Sequence, residues 1–198
     1  MVKITDIKQQ VRLRHRYSIY LDGKFAFGLS QSTLLGHGLK TGQELSVEDI
    51  DRLKQDAEVD KAYSLVLGQL ARRPRSEKEV RDYLKRKQYA EELINKLVKR
   101  IYDVGYLDDT EFAQRWVYNR RLLKPTSIRR LQQELRVKGV NDQIIAGVLA
   151  QDDTDDKQVI AEVIKRKRRQ TRYQDDQKLM AYLIRQGYDY QDIKDALR

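Results

Sequence analysis

The sequence predicts a mainly α-helical protein, an elongated array of three tandem three-helix repeats with a small β-hairpin-containing unit at the N-terminus. Three observations carry this. First, the chain repeats itself. Its only prolines, Pro74 and Pro125, stand 51 residues apart, and Ser76/Ser127, Val80/Leu131, Leu84/Leu135, Gln88/Gly139, Ile94/Ile145 and Val98/Leu149 keep that spacing. Ala62/Ala113, Leu65/Trp116 and Val66/Val117 extend the match before the prolines. A third copy, offset by 48, runs through Ala161, Ile164, Asp175, Leu179, Leu183, Gly187, Tyr188, Ile193 and Leu197, with Tyr173 where a proline would stand. Periods near 50 with helical patterning mean stacked helical units that touch mainly their neighbours. Second, Gly105 to Trp116 reads as a helix end, a joint and a helix start. Gly105 suits the left-handed ending, Asp108 with Glu111 suits the cap, and Phe112, Ala113, Trp116 and Val117 form an apolar stripe. Third, apolar residues near the N-terminus alternate with period two around Asp22-Gly23, a strong hairpin turn.

Taken in order, residues 1–46 form the β-containing unit. Tyr17, Ile19 and Leu21 make one strand, Phe25, Phe27 and Leu29 the next, and Val11 and Leu13 suggest an earlier one. Ser30 to Leu35 suits a short helix ended by Gly36. The Gly36-to-Gly42 stretch echoes a phosphate-binding loop, but Leu34 and Leu39 replace its required glycines, so it reads as a turn. Residues 47–107 hold a connecting helix and repeat one. Ser46 with Asp49 starts the helix, which runs from Val47 to about Arg72 and stops before Pro74. Ser76 caps the next helix with Glu79 at the box position, and Leu93, Ile94, Leu97, Val98 and Ile101 mark the third. Repeat two, 108–153, comprises Asp109–Leu123, Ser127–Lys138 and Asn141–Ala150. Repeat three, 154–198, comprises Asp156–Arg169, Asp175–Gln186 and Asp189–Leu197. Leu84, Leu135 and Leu183 are expected at equivalent buried places.

Composition narrows the function classes. The chain has 198 residues, 35% of them charged, and a mean hydropathy of −0.77. No apolar run approaches the ~20 residues of a membrane span, and no secretory signal opens the chain. With no cysteine there is no disulfide or thiolate chemistry. A cytoplasmic monomer is expected. Net charge is +10, with nine basic and nine acidic residues in 1–60, so the whole excess lies on the repeats. A basic helical array suits a polyanion or an acidic protein surface, although lysine and arginine also simply solvate helices.

No residue pattern suggests catalysis. His15 sits among Arg14 and Arg16, and neither it nor His37 has ligand or triad spacing. Asp152 to Asp156 could be imagined as a metal site, but aspartates at a helix start complement its dipole. Trp116, the only tryptophan, reads as core ahead of a base-stacking role. Neither a metal nor a cofactor is expected. The candidate contacts to a polyanion such as DNA, or to an acidic protein surface, are basic: Lys85, Arg86 and Lys87; Arg115, Arg120, Arg121, Lys124, Arg129, Arg130, Arg136 and Lys138; and Lys165, Arg166, Arg168, Arg169 and Arg172. The run from Lys165 to Arg169 wraps more than one helical turn, which favours a diffuse or enclosing surface over readout of one base.

Two stretches resemble the RecX family over about residues 57–198: Pro74-Arg75-Ser76-Glu77-Lys78-Glu79-Val80-Arg81-Asp82-Tyr83-Leu84 and Gly105-Tyr106-Leu107-Asp108-Asp109-Thr110-Glu111-Phe112-Ala113. The 1–46 segment looks like an extension found in some members. The resemblance implies a cytoplasmic regulator of the recombinase RecA, acting in homologous recombination, DNA repair and the SOS response. It would lie in the groove of the RecA–single-stranded DNA filament and inhibit strand exchange and ATP hydrolysis. It would also bind single- and double-stranded DNA without sequence preference. No catalytic residue carries over. The alternative is a helix-turn-helix transcriptional regulator, since Ser127–Ala150 also reads as two helices turning at Gly139.

Overall fold

The N-terminal strands are short, β-branched and aromatic, and they pair in the antiparallel order β3-β2-β1-β4. In the computed structural model, which describes residues 1–198, these are β1 (Val2–Gln9), β2 (Arg16–Leu21), β3 (Lys24–Ser30) and β4 (Glu44–Leu45). Asp22 and Gly23 make the hairpin turn with φ of 46° and 79°, both in the left-handed region that a two-residue turn requires. The earlier strand is not at Val11 and Leu13. Both are exposed in a turn closed by the Arg16 N–H on the Leu13 carbonyl, whereas β1 buries Ile4 against Leu21. Nor do Phe25, Phe27 and Leu29 share one face. Ile19 lies opposite Phe27 but Tyr20 lies opposite Phe25, so Ala26 is a bulge residue. Phe27 and Leu29 are buried, while Phe25 turns out and meets the Tyr20 ring edge-on at 6.0 Å.

Over the sheet pack α1 (Gln31–Gly36) and α2 (Val47–Leu70), the latter opened by a Ser46–Asp49 capping box. Ile4, Ile19, Phe27, Leu29, Leu34, Leu45, Ile50 and Leu53 form this core. Asp60 of α2 accepts the Ser30 N–H at 2.6 Å and the Thr33 hydroxyl at 3.1 Å, and Arg16 reaches Ser64 and the Gly28 carbonyl. Residues 1–73 and 83–103 form one compact unit, which also holds α4 (Glu91–Asp103) with Ile94, Leu97, Val98 and Ile101 buried. Residues 74–82 and 104–198 form the other, so α3 (Glu77–Arg86) is shared between them.

The second unit contains two three-helix cores. The first is α5 (Asp109–Leu123), α6 (Ile128–Val137) and α7 (Asp142–Ala150), closed on Phe112, Ala113, Val117, Leu131, Leu135, Val140, Ile145 and Val148. The second is α8 (Asp156–Lys167), a single 3₁₀ turn at Thr171–Tyr173, α9 (Asp176–Arg185) and α10 (Tyr190–Ala196). Leu84, Leu135 and Leu183 are each fully buried, as the repeat requires. In α8 the repeat alignment slips by one: Ala161 is exposed, and Ile160 and Val163 take the buried places.

Serines and aspartates at helix starts join successive repeats. The Ser76 hydroxyl accepts the Glu79 N–H and donates to the Lys138 carbonyl at 2.7 Å, while Asp109 accepts the Glu77 N–H at 2.8 Å. One repeat on, the Ser127 hydroxyl accepts the Arg130 N–H and donates to the Gln186 carbonyl at 2.7 Å, and Asp156 accepts the Ile128 N–H at 3.2 Å. The carbonyls that receive these serines precede Gly139 and Gly187, whose φ values are 81° and 86°.

Candidate nucleic-acid interface

Helix α6 organises the basic surface. Leu131 and Leu135 lie one turn apart and anchor it in the core, so helical geometry turns Arg129, Gln133 and Arg136 outward. On the α5 side lies an open groove of about 520 Å³, lined by Trp116, Arg120, Arg130, Glu134, Val137 and Lys138. On the α9 side lies a second, about 500 Å³, lined by Arg129, Arg130, Arg136, Arg185, Gln186 and Gly187. Both grooves include Arg130 and Gln133, so they adjoin along α6.

Glu134 arranges the first groove. One carboxylate oxygen accepts Trp116 Nε1 at 3.0 Å and Arg120 Nε at 2.7 Å; the other faces Arg130 Nε at 3.5 Å. The Arg120 guanidinium lies 4.7 Å from the indole centroid and Lys138 Nζ 5.0 Å from it, which is cation–π range. Lys138 also pairs with Glu79 at 2.6 Å. Trp116 is therefore half-buried: it packs on the Phe112 ring at 5.8 Å and keeps surface in the groove. In the second groove Arg130 donates to the Gln186 side chain at 2.6 Å and Arg136 pairs with Asp142. Arg129 and Arg185 are exposed with no carboxylate in ion-pair reach, so they are the cations open to an outside anion.

The other basic residues divide sharply. Arg121, expected on the basic face, is buried. Its side chain is 9% exposed, and it donates to Asp152 at 2.8 Å, Asp156 at 3.0 Å and the Thr126 carbonyl at 2.7 Å. Enclosed by these acceptors and 9% exposed, the guanidinium is turned inward, away from any external phosphate. Arg115 pairs with Glu111, and Lys124 is exposed. In the third repeat, Lys167 lies over the Tyr173 and Tyr182 rings, and Arg168 binds the carbonyls after the 3₁₀ turn together with Asp176. Arg172 approaches Tyr173. Lys165, Arg166 and Arg169 remain exposed and unpaired. Lys85, Arg86 and Lys87 are exposed in the other unit, Lys85 paired with Glu91. The aspartate run resolves into a cap at Asp155 and the two Arg121 acceptors, Asp152 and Asp156. No helix is long and apolar enough to cross a membrane.

Sequence reasoning missed Arg185. It stands alone among uncharged neighbours, and the bonds of Ser127 and Arg130 to Gln186 carry the end of α9 to α6. The available signal was its place two residues before Gly187, the turn that each repeat offers to the one before.

Comparison with known proteins adds the family context. Residues 2–46 match the family model described as the regulatory protein RecX N-terminal domain. Residues 62–100 match the first RecX three-helix domain and 108–149 the second. A regulatory protein RecX of Listeria monocytogenes serotype 4a (strain HCC23) is 32% identical over 203 residues, covering 98% of this chain and 74% of the relative. One of Bacillus velezensis is 32% identical over 200 residues, covering 98% and 76%. A crystal structure of a regulatory protein RecX aligns with TM-score 0.76 and 28% identity over 98% of this chain and 100% of that one. RecX from Lactobacillus salivarius shares the fold, with TM-score 0.60 at 20% identity over 70% of this chain and 94% of that one.

Proposed function

The chain belongs to the RecX family, and from that membership and the basic grooves along α6 we propose that it is a regulator that inhibits a RecA-type recombinase. It binds in the groove of the recombinase–single-stranded DNA filament and has sequence-nonspecific affinity for DNA. The observation that carries the reading is the pair of grooves sharing Arg130 and Gln133, with Arg129 and Arg185 unpaired at one side. Unpaired guanidinium groups beside ordered ones suit phosphate, which takes charge-assisted and bidentate hydrogen bonds. Lys165, Arg166 and Arg169 extend the same chemistry to the third repeat, and several weak contacts on one body give avidity against a repeating filament.

The transcriptional-regulator alternative is less well supported. Its reading helix would be α7, and Asp142–Ala150 contains no lysine or arginine. Helices that enter the major groove read bases and phosphates largely through such side chains.

The test is recombinase ATPase on single-stranded DNA with the full chain titrated in. Reversing Arg129, Arg185, Lys165, Arg166 and Arg169 to glutamate should raise the half-inhibitory concentration about tenfold or more, with helical circular dichroism intact. Unchanged inhibition would remove the assignment.

A further inference from the structure

The two grooves beside α6 differ in chemistry. The α9 side offers guanidinium and amide groups only, which is what a phosphate needs. The α5 side adds an indole, Val137 at 67% exposure and the Arg120 guanidinium over the ring, 4.7 Å from its centroid. A phosphate gains nothing from the apolar part of such surface. A nucleobase does, because every base has a π-face that stacks on aromatic rings and on arginine planes.

We propose that the α5-side groove takes an unstacked nucleobase of single-stranded DNA, while the neighbouring phosphates lie along Arg129 and Arg185. The proposal deepens the regulator reading and rests on it. Three features fit a base. The floor is Trp116 with Arg120, held in register by Glu134 at 3.0 and 2.7 Å. The wall is Val137, an exposed aliphatic residue on a helix whose other outward residues are polar. The rim is Gln133, whose amide both donates and accepts and so tolerates any base edge. Lys138 pairs with Glu79 at 2.6 Å and stays 5.0 Å from the indole centroid, so it flanks the site as a cation beside the base. Duplex DNA keeps its bases stacked inside and can use only the α9 side, so the groove selects single strands.

The sole tryptophan reports on its own site. Oligothymidylate, an abasic oligonucleotide of equal length and a duplex would be titrated into the full chain at fixed salt, following Trp116 fluorescence and anisotropy of labelled DNA. Oligothymidylate should bind about tenfold tighter than the abasic strand and alone should quench Trp116. Trp116→Phe should keep most of that ratio and Trp116→Leu should bring it near one. Should Trp116→Leu not fold, Val137→Ser sits on the surface and should lower the ratio severalfold with no change of charge. Recombinase ATPase read in parallel keeps the two proposals apart: lost inhibition with an intact base preference sinks the regulator reading and supports the groove. Equal affinity for abasic and thymidine strands with unquenched Trp116 would overturn the base site.

Discussion

Two clasps built on one plan tie the Ser76 turn to the second repeat and the Ser127 turn to the third, and they treat charge in opposite ways. In each, a serine donates to the carbonyl before a left-handed glycine, and the first residue of a helix, an aspartate, accepts an N–H next to that serine. Asp109 makes its bond and faces no cation in ion-pair reach, although it is buried. Asp156 makes the same bond and also takes Arg121, which reaches on to Asp152 and the Thr126 carbonyl. The clasp geometry therefore needs only the backbone donor. The cation adds something different: it couples α5, the turn before α6, the turn after α7 and the start of α8 through one side chain.

That difference predicts where the molecule breaks. Arg121→Met would leave the buried Asp152 and the partly exposed Asp156 without their partner, a change that costs up to about 3–5 kcal/mol when a buried pair is broken on one side. Asp109→Asn keeps an acceptor for the Glu77 N–H and removes a buried charge, so it should cost less than about 1 kcal/mol or stabilise. Urea denaturation of both variants checks the contrast, and equal losses would mean that the clasps share their load in some other way.

The glycines come next. A Cβ at Gly139 would stand 2.5 Å from Lys78 Cβ, while one at Gly187 would stand 2.9 Å from the Ser127 hydroxyl. Alanine at either also pays for a left-handed φ, about 1–2 kcal/mol. Overpacking adds about 1–3 kcal/mol where the neighbour cannot move. Gly139→Ala should therefore be the more damaging, because Lys78 Cβ is fixed by its helix, whereas the Ser127 hydroxyl can yield by giving up its bond to the Gln186 carbonyl. Denaturation midpoints in the reverse order would break the argument.

Acid should separate the clasps without any mutation. Burial pushes the Asp109 carboxyl above its ordinary 3.8, with Glu77 and Asp108 adding to the push and the Glu77 N–H opposing it. A raised folded pKa contributes stability that is complete below the unfolded value and is lost as pH rises through the folded one. Asp152 moves the other way. Burial pushes it up, but hydrogen bonds from Thr154 and Arg121 outweigh burial and hold it below 3.8. Its contribution is complete above 3.8 and is lost as pH falls through the folded value. On acidification through this range, Glu77 amide protection should rise while that of Thr154, whose N–H Asp152 accepts, falls, once both are corrected for intrinsic exchange. Parallel changes would show that one global transition governs both.

These contrasts also explain what could be read from the sequence. The repeat was legible because buried leucines and isoleucines recur at fixed spacing, and Leu84, Leu135 and Leu183 follow it. It misplaced Ala161 because the clasp aspartates are 47 residues apart while the clasp glycines are 48 apart, a difference absorbed between helices where no apolar pattern keeps count. Charge was legible only as an amount. Arg121 and Arg129 look alike in the sequence, yet one is consumed by Asp152 and Asp156 and the other stands free, because partners 31 and 35 residues away leave no local signal. Trp116 has helical spacing from Phe112, which correctly gives it a core neighbour; that its other side opens beside Lys138 depends on α6.

The smallest expected effect separates the two demands made on the clasp glycines, conformation and room. The matching turn in the first repeat has Gln88, at φ 63°, where the later repeats have Gly139 and Gly187. A side chain is present there, so the turn tolerates a Cβ, and what remains is the cost of the left-handed backbone. Gln88→Gly should relieve that cost while adding chain entropy to the unfolded state, for a net gain of about 0.5–1 kcal/mol. The reciprocal change, Gly139→Gln, meets both the φ penalty and the Lys78 side chain and should lose several times as much. If the two changes prove equal and opposite, φ alone governs these turns and the close approach of successive repeats has no part in the choice of glycine.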